Sequence, residues 1–309
     1  MNLTQRQLLL FTTIAATRNL SRASERLHLS QPAFTRALQA LEAQLGVRLF
    51  HRSTRALELS ADGRRFLPAA QRLLADMQQA LQDLQGRGDT LSGPVSLALG
   101  TAFGGCVLPA ALQRLAQRHP AVRVQVRDDS SRGITARVLD GEVDFGIGSV
   151  LGPAPGLLTR SLLVAPLGLL AHPAHHRLPA RASIASAARL PLVKEADDTS
   201  IMQLLRDQGS AWAAAMDGGT EVSSLSLQLA LVRAGVGVAL LSALAASHPE
   251  AHDLRFVPIT PRLQRQVVLM QRRDRPLRPA AQALADMLDE VLPGLPLHPL
   301  VRRSDPAGG

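Results

Sequence analysis

The chain carries one cysteine, Cys106, among its 309 residues. No disulfide framework or thiolate metal cage can form within one such chain, which fits a reducing compartment. It also has a single lysine, Lys194, so its positive charge is almost wholly arginine. We read that bias as a compositional habit of the source and give it little weight. Long hydrophobic runs are missing as well. Leu162 to Ala171 is too short to span a bilayer. The N-terminus lacks a charged lead, an apolar run and a small-residue cleavage site, so no signal peptide is expected. The expectation is a cytoplasmic protein with no membrane partner.

Groupings that would carry catalysis are missing too. His172, His175 and His176 fall in a Pro- and Arg-bearing loop with no acid nearby and no helical pairing, so a solvated loop is expected and no metal. Gly146-Ile147-Gly148-Ser149 lacks the third glycine and the downstream acid of a dinucleotide site. It reads as a strand end closing onto a ligand cleft. Cys106 has no flanking charge to activate it, and Asp128-Asp129 and Asp197-Asp198 read as solvated turns. No cofactor and no enzymatic activity are expected.

What is present is positive charge, concentrated at one end. The formal net charge is +9, which favours a polyanionic partner such as nucleic acid. Between Met1 and Arg65 stand ten arginines and four acids, so most of that charge lies in the first fifth of the chain. Attraction to phosphates grows with each such contact and weakens with salt.

The same region spells out helices. Thr4 can cap one running to about Thr17, with Leu8, Phe11 and Ala15 facing inward. Asn19-Leu20 breaks it, and Ser21 is the expected cap of a short second helix through Leu27. After the turn His28-Leu29, Ser30 can cap a third, with Pro32 in its first turn and Gly46 as its stop. Phe34, Leu38, Leu41 and Leu45 form its buried stripe, and Gln31, Thr35, Arg36 and Gln39 its polar edge. Such arms can reach phosphates and base edges in a major groove. Helix, tight turn, helix is the architecture that places its second helix there. A hairpin follows, with arms Leu49-Phe50-His51 and Ala56 to Leu59 and a tip bearing Arg52 and Arg55. Ser60 then caps a long helix, in which Leu67, Ala70, Leu74, Met77, Leu81 and Leu84 form an a/d seam nearly three heptads long. Packing on the chain's own body explains that seam too, but pairing with a second copy is the expectation, because dimers double a short DNA site. Gly86 to Pro94 ends the helix as a linker.

Ser21 to Ala23, Leu29 to Pro32, Leu41-Glu42 with Leu45-Gly46, Leu49-Phe50, Arg52, and Leu59 to Gly63 together resemble the N-terminal region of LysR-type transcriptional regulators. Two departures stand out. Phe34-Thr35 replaces the usual Leu or Val then Ser, and Ala56 lies where a turn glycine is common. Thr35 keeps the hydroxyl.

From Val95 the pattern changes to short aliphatic strands alternating with helices, which argues a mixed α/β domain. Expected strands include Val122 to Val126, Val143 to Ile147, Leu167 to Ala171, Leu190 to Val193 and Val267 to Gln271. The resemblance extends over this region through Pro109, Pro120, Gly141 with Asp144, and Gly235 to Leu241. It implies a two-lobed effector-binding domain similar to periplasmic solute-binding proteins, with crossings near Leu163 to Pro166 and near Arg265. In such lobes ligands bind at strand ends, where loops meet helix N-termini. The groups expected there are Thr101, Ala102, Ser130, Ser131, Ser149, Thr199, Ser200, Ser223 and Ser224. A carboxylate or similar small anion is the expected ligand, while Lys194 is expected in a solvated loop.

The expected fold is therefore α/β with an N-terminal all-α winged helix-turn-helix (1–60), a long linker helix and hinge (61–92) and a two-lobed effector domain (93–293). Lobe I would comprise 93–163 and 266–293, and lobe II 164–265. A Pro- and Gly-rich tail over 294–309 is expected to be disordered. As a LysR-type factor, a homodimer or pair of dimers, it would bind an operator. Gln31, Pro32, Thr35, Arg36 and Gln39 would face the bases, and Ser21, Ser30, Arg52 and Arg55 the phosphates or minor-groove edge. The alternative is a solute-binding protein whose first 90 residues only mediate assembly. It would need an export signal and lack salt-dependent DNA affinity.

Overall fold

A computed structural model describes residues 3–52, 57–84, 91–196, 199–208 and 210–304. The chain divides after Pro94 into two compact units.

The first contains α1 (Gln5–Thr17), α2 (Leu20–Arg26), α3 (Gln31–Leu45), β1 (Phe50–Arg52), β2 (Leu57–Leu59) and α4 (Ala61–Leu84). Thr4 caps α1 in a capping box with Gln7. Asn19, not Ser21, caps α2, its Oδ1 accepting from the Arg22 amide at 3.0 Å. Both residue types suit a cap, so spacing alone did not choose between them. Ser30 precedes α3 as its N-cap but makes no side-chain cap bond. Gly46 ends α3 at φ +71°, a left-handed value that costs glycine nothing. Phe11, Ile14, Ala23, Phe34, Leu38 and Leu41 are fully buried together, and Phe11 lies 5.1 Å from Phe66 of α4, ring centre to ring centre.

Two polar contacts fix the hairpin. Glu42 Oε1 accepts from the amides of Leu49 (2.7 Å) and Phe50 (3.1 Å), tying α3 to β1. Ser60 Oγ donates to the Arg48 carbonyl (2.6 Å) and accepts from the Gly63 amide (2.9 Å), capping α4 as expected. A Cβ on Gly63 would fall 2.1 Å from the Leu49 carbonyl oxygen, so only glycine fits there. The a/d seam of α4 divides in two. Ala70 is fully buried in this unit's own core, with Leu67 and Leu74 packed against it. Ala70 is therefore corrected from a dimerisation contact to a core residue. Leu73, Met77 and Leu81 are 44–47% exposed, and the side chain of Leu84 lies outside the described residues.

The second unit runs β3 (Gly93–Leu99), α5 (Thr101–Cys106), α6 (Leu108–Arg118), β4 (Val122–Asp128), α7 (Ser131–Leu139), β5 (Phe145–Gly148) and β6 (Leu157–Ala171). It continues through α8 (Ile184–Ala187), β7 (Leu192–Glu195), α9 (Ser200–Gln208), α10 (Ser210–Ala215), β8 (Thr220–Val222), α11 (Leu225–Arg233) and β9 (Val238–Ser242). Last come β10 (Arg255–Pro258), β11 (Gln264–Arg272), α12 (Pro279–Val291) and β12 (Arg302–Arg303). The strands join in the order β4-β3-β5-β11-β6-β9-β7-β8, with β10 and β12 also on β6. The long β6 belongs to both ends of this array. It pairs with β11 from Leu157 to Pro166 and with β9 and β10 from Leu167 to Ala171.

Residues 294–304 are ordered, contrary to the expectation of a disordered tail. Arg302 and Arg303 pair with Val164 and Leu163 of β6, and Ser304 Oγ lies 2.6 Å from Ser161 Oγ. The His298 ring packs edge-on to Phe256, and its amide donates to Ser247 Oγ at 2.8 Å. Backbone pairing to a strand with a free edge replaces the hydrophobic periodicity this segment lacks. Residues 305–309 lie outside the described residues.

Candidate functional site

The first unit presents the polar edge of α3. Gln31, Pro32, Arg36 and Gln39 are exposed and Thr35 is half-buried, while Phe34 and Leu38 of the same helix are fully buried. The helical period that sinks one stripe therefore frees the other. Ser21 on α2 and Ser30 before α3 are also exposed. Arg55 and the side chain of Arg52 lie outside the described residues. Gln7 Nε2 donates to Gln44 Oε1 at 2.8 Å, bracing α3 against α1.

The second unit holds a cavity of about 320 Å³. Thr101, Ala102, Ser130, Ser131, Thr199, Ser200, Ser223 and Ser224 all line it, as the sequence reading expected. They gather there because α5, α7, α9 and α11 begin at Thr101, Ser131, Ser200 and Leu225. Amides at helix starts have no intrahelical acceptor and carry partial positive charge. Some hydroxyls are occupied as caps. Ser130 Oγ accepts from the Gly133 amide, Thr199 Oγ1 from Met202 and Ser224 Oγ from Leu227. Ser242, whose hydroxyl is buried without a protein hydrogen-bond partner, also lines the cavity.

Ser149 is corrected. It does not line the cavity, and its Oγ is occupied by donating to the Gln266 carbonyl (2.7 Å) and accepting from Arg265 Nε (2.9 Å). It holds Arg265, which does line the cavity. Arg265 was expected only as a strand crossing. A Cβ at Gly100 would lie 3.7 Å from Arg265 Nη2, so the guanidinium reaches the start of α5. Desolvation lowers its pKa from the ordinary value, and the nearby Glu195 charge raises it back in part.

Two further expectations change. Lys194 is not in a solvated loop but buried in β7, paired with Glu221 Oε2 at 3.1 Å. Its partner sits on β8, a three-residue strand in register with β7. The His172 and His175 rings lie 5.0 Å apart, with Asp253 4.0 Å from His172, so an acid is near. Even so, among the described residues no group of three or more His, Cys, Asp and Glu is placed to hold a metal. Nor is any helix among them long and apolar enough to cross a membrane. Cys106 Sγ donates to the Leu244 carbonyl, and burial pushes its thiol up to about 12. A thiol so shifted has almost no nucleophilic thiolate at neutral pH.

A winged helix-turn-helix with an exposed polar recognition edge, followed by an α/β domain enclosing a hydroxyl-lined cavity, defines a ligand-responsive DNA-binding regulator. Residues 5–64 match the bacterial regulatory helix-turn-helix protein, lysR family, and residues 88–293 match the LysR substrate binding domain. The chain belongs to the LysR family of transcriptional regulators. Among its relatives is the HTH-type transcriptional regulator YfeR of Shigella flexneri, 30% identical over 93% of this chain and 94% of that one. The SDS degradation transcriptional activation protein of a Pseudomonas species is 34% identical over 92% of this chain and 95% of its own. In fold the chain is similar to a full-length OxyR variant from Pseudomonas aeruginosa (TM-score 0.71, 23% identity, 99% and 100% covered).

Proposed function

We propose that operator binding by this regulator is modulated by a small molecule bearing a carboxylate or similar anionic group, held in the cavity of the second unit. The observation that carries this reading is the convergence of four helix starts and the Arg265 guanidinium on one cavity. Free amides at helix starts are a ready anion site, and an arginine fork matches a carboxylate. The cavity is lined from both lobes, lobe I being 93–163 with 266–293 and lobe II 164–265. A ligand that favours one lobe angle shifts the balance of states by its unequal affinity for them. Arg265→Gln removes the fixed cation while keeping length and polarity. In a melting-temperature screen of small carboxylates, a compound that stabilises the wild type should need at least tenfold more ligand with this variant. Equal stabilisation of both proteins would take Arg265 out of the site.

On the DNA side, Gln31, Thr35, Arg36 and Gln39 read bases, with Pro32 at the same edge, and Ser21, Ser30, Arg52 and Arg55 meet the backbone or minor-groove edge. Arg36→Ala should weaken operator binding by about 1–3 kcal/mol if it pairs with a guanine. The loss should concentrate at one base-pair position in a set of single-substitution operators. A uniform loss would make Arg36 a phosphate contact.

The protein acts as a homodimer, or a pair of dimers, joined along the exposed part of α4. Met77 and Leu81 are 44% and 46% exposed, an apolar strip that a second copy would cover. Met77→Glu with Leu81→Glu should give a monomer by sedimentation velocity with its helix content retained. An unchanged dimer would move the interface elsewhere.

A further inference from the structure

The effector cavity faces its occupant with charges of both signs. Four charged residues line it: Arg265, Asp128, Asp129 and Glu195. Asp129 is spoken for, since Arg137 Nε donates to it at 2.7 Å and the Ser130 amide at 2.8 Å. The guanidinium therefore shares the walls with two further carboxylates, of which Glu195 is near enough to Arg265 to raise its pKa. Asp128, the last residue of β4, is exposed and forms no ion pair among the described residues.

Two unit charges 4 Å apart interact by about 4 kcal/mol at an effective dielectric constant of 20. A ligand with only negative charge gains from Arg265 and the helix starts, yet meets two carboxylates on the same walls. A second negative charge would make matters worse, so dicarboxylates and phosphates are disfavoured. A ligand carrying an ammonium beside its carboxylate turns those acids from repulsive into attractive partners. The remaining lining, including Phe103, Ile147, Ile201, Leu241 and Val267, is apolar and suits a small hydrocarbon side chain.

We infer that the effector is a small zwitterion of the amino-acid type. Its carboxylate is directed to Arg265 and the helix starts, and its ammonium to Glu195 and Asp128. This rests on the reading above that the cavity takes an effector with an anionic group, and adds the cationic one.

The test uses the full-length protein in a melting-temperature titration. The probes are the twenty common amino acids, each beside its deaminated carboxylate. At least one amino acid should stabilise the protein at a concentration tenfold or more below that needed by its deaminated counterpart. Glu195→Gln and Asp128→Asn, which keep shape and remove charge, should erase most of that preference while leaving the deaminated acid binding as well as before or better. If deaminated acids act at equal or lower concentrations than the amino acids, the zwitterion inference falls and the anion reading stands. If neither series stabilises the protein, both fall.

Discussion

Phe34→Ala should destabilise the DNA-binding unit by about 3–5 kcal/mol, the usual cost of truncating a buried aromatic ring. Phe34 is fully buried in a core shared by α1, α2, α3 and α4. A small unit has only about 5–15 kcal/mol in total, so the loss consumes much of it. Operator binding should fall with it, because the exposed edge of α3 is held by this buried stripe. Hydrogen exchange on the full-length variant should show lost protection over residues 5–84 and retained protection from residue 95 onward. Phe34→Leu, the residue type common in the family, should cost about 1.5 kcal/mol or less and leave binding nearly intact. Full protection of α3 in the alanine variant would mean that Phe34 is not what holds the helix in place.

What the sequence made legible follows from local periodicity. α3 was readable because its stripe and both its ends are encoded within one short stretch, Ser30 to Gly46, and the structure gives Gln31–Leu45. Glu42 looked like the point where acids resume on that helix. Its role, accepting two amides of the hairpin, depends on residues seven and eight positions further on. The hydroxyls at the cavity were legible because strand-to-helix junctions mark themselves with small polar residues. Arg265 was not, since a lone arginine in a strand carries no local signal of what it faces. Only folding brings Ser149 to its Nε, from 116 positions away. The seam of α4 was read as one surface because a heptad pattern records which residues are apolar but not what covers them. The helix uses Ala70 for its own core and leaves Met77 outside. Lys194 and residues 294–304 failed alike, because their partners sit on short strands or strand edges that have no period.

Asp144→Ala should cost the second unit about 3 kcal/mol, through a mechanism unlike that of Phe34. The Asp144 side chain is 6% exposed and accepts from the Ser96 amide at 2.8 Å and Ser96 Oγ at 3.0 Å. Arg278 Nη2 grips both its oxygens, at 2.8 and 2.9 Å. One carboxylate thus ties β3 to the start of β5 and to Arg278, the N-cap of α12. Removing it leaves the Arg278 guanidinium, 20% exposed, without the charge that balances it, and an unbalanced buried charge is the costly outcome. β5 ends at Gly148 on the cavity wall, so effector affinity should fall along with stability although Asp144 touches no ligand. The urea midpoint should drop with an unchanged slope. The double variant Asp144→Ala, Arg278→Leu should recover part of the loss, because it removes the stranded charge together with its partner. If the double variant were less stable than the sum of the single ones predicts, packing around Arg278 would outweigh the ion pair.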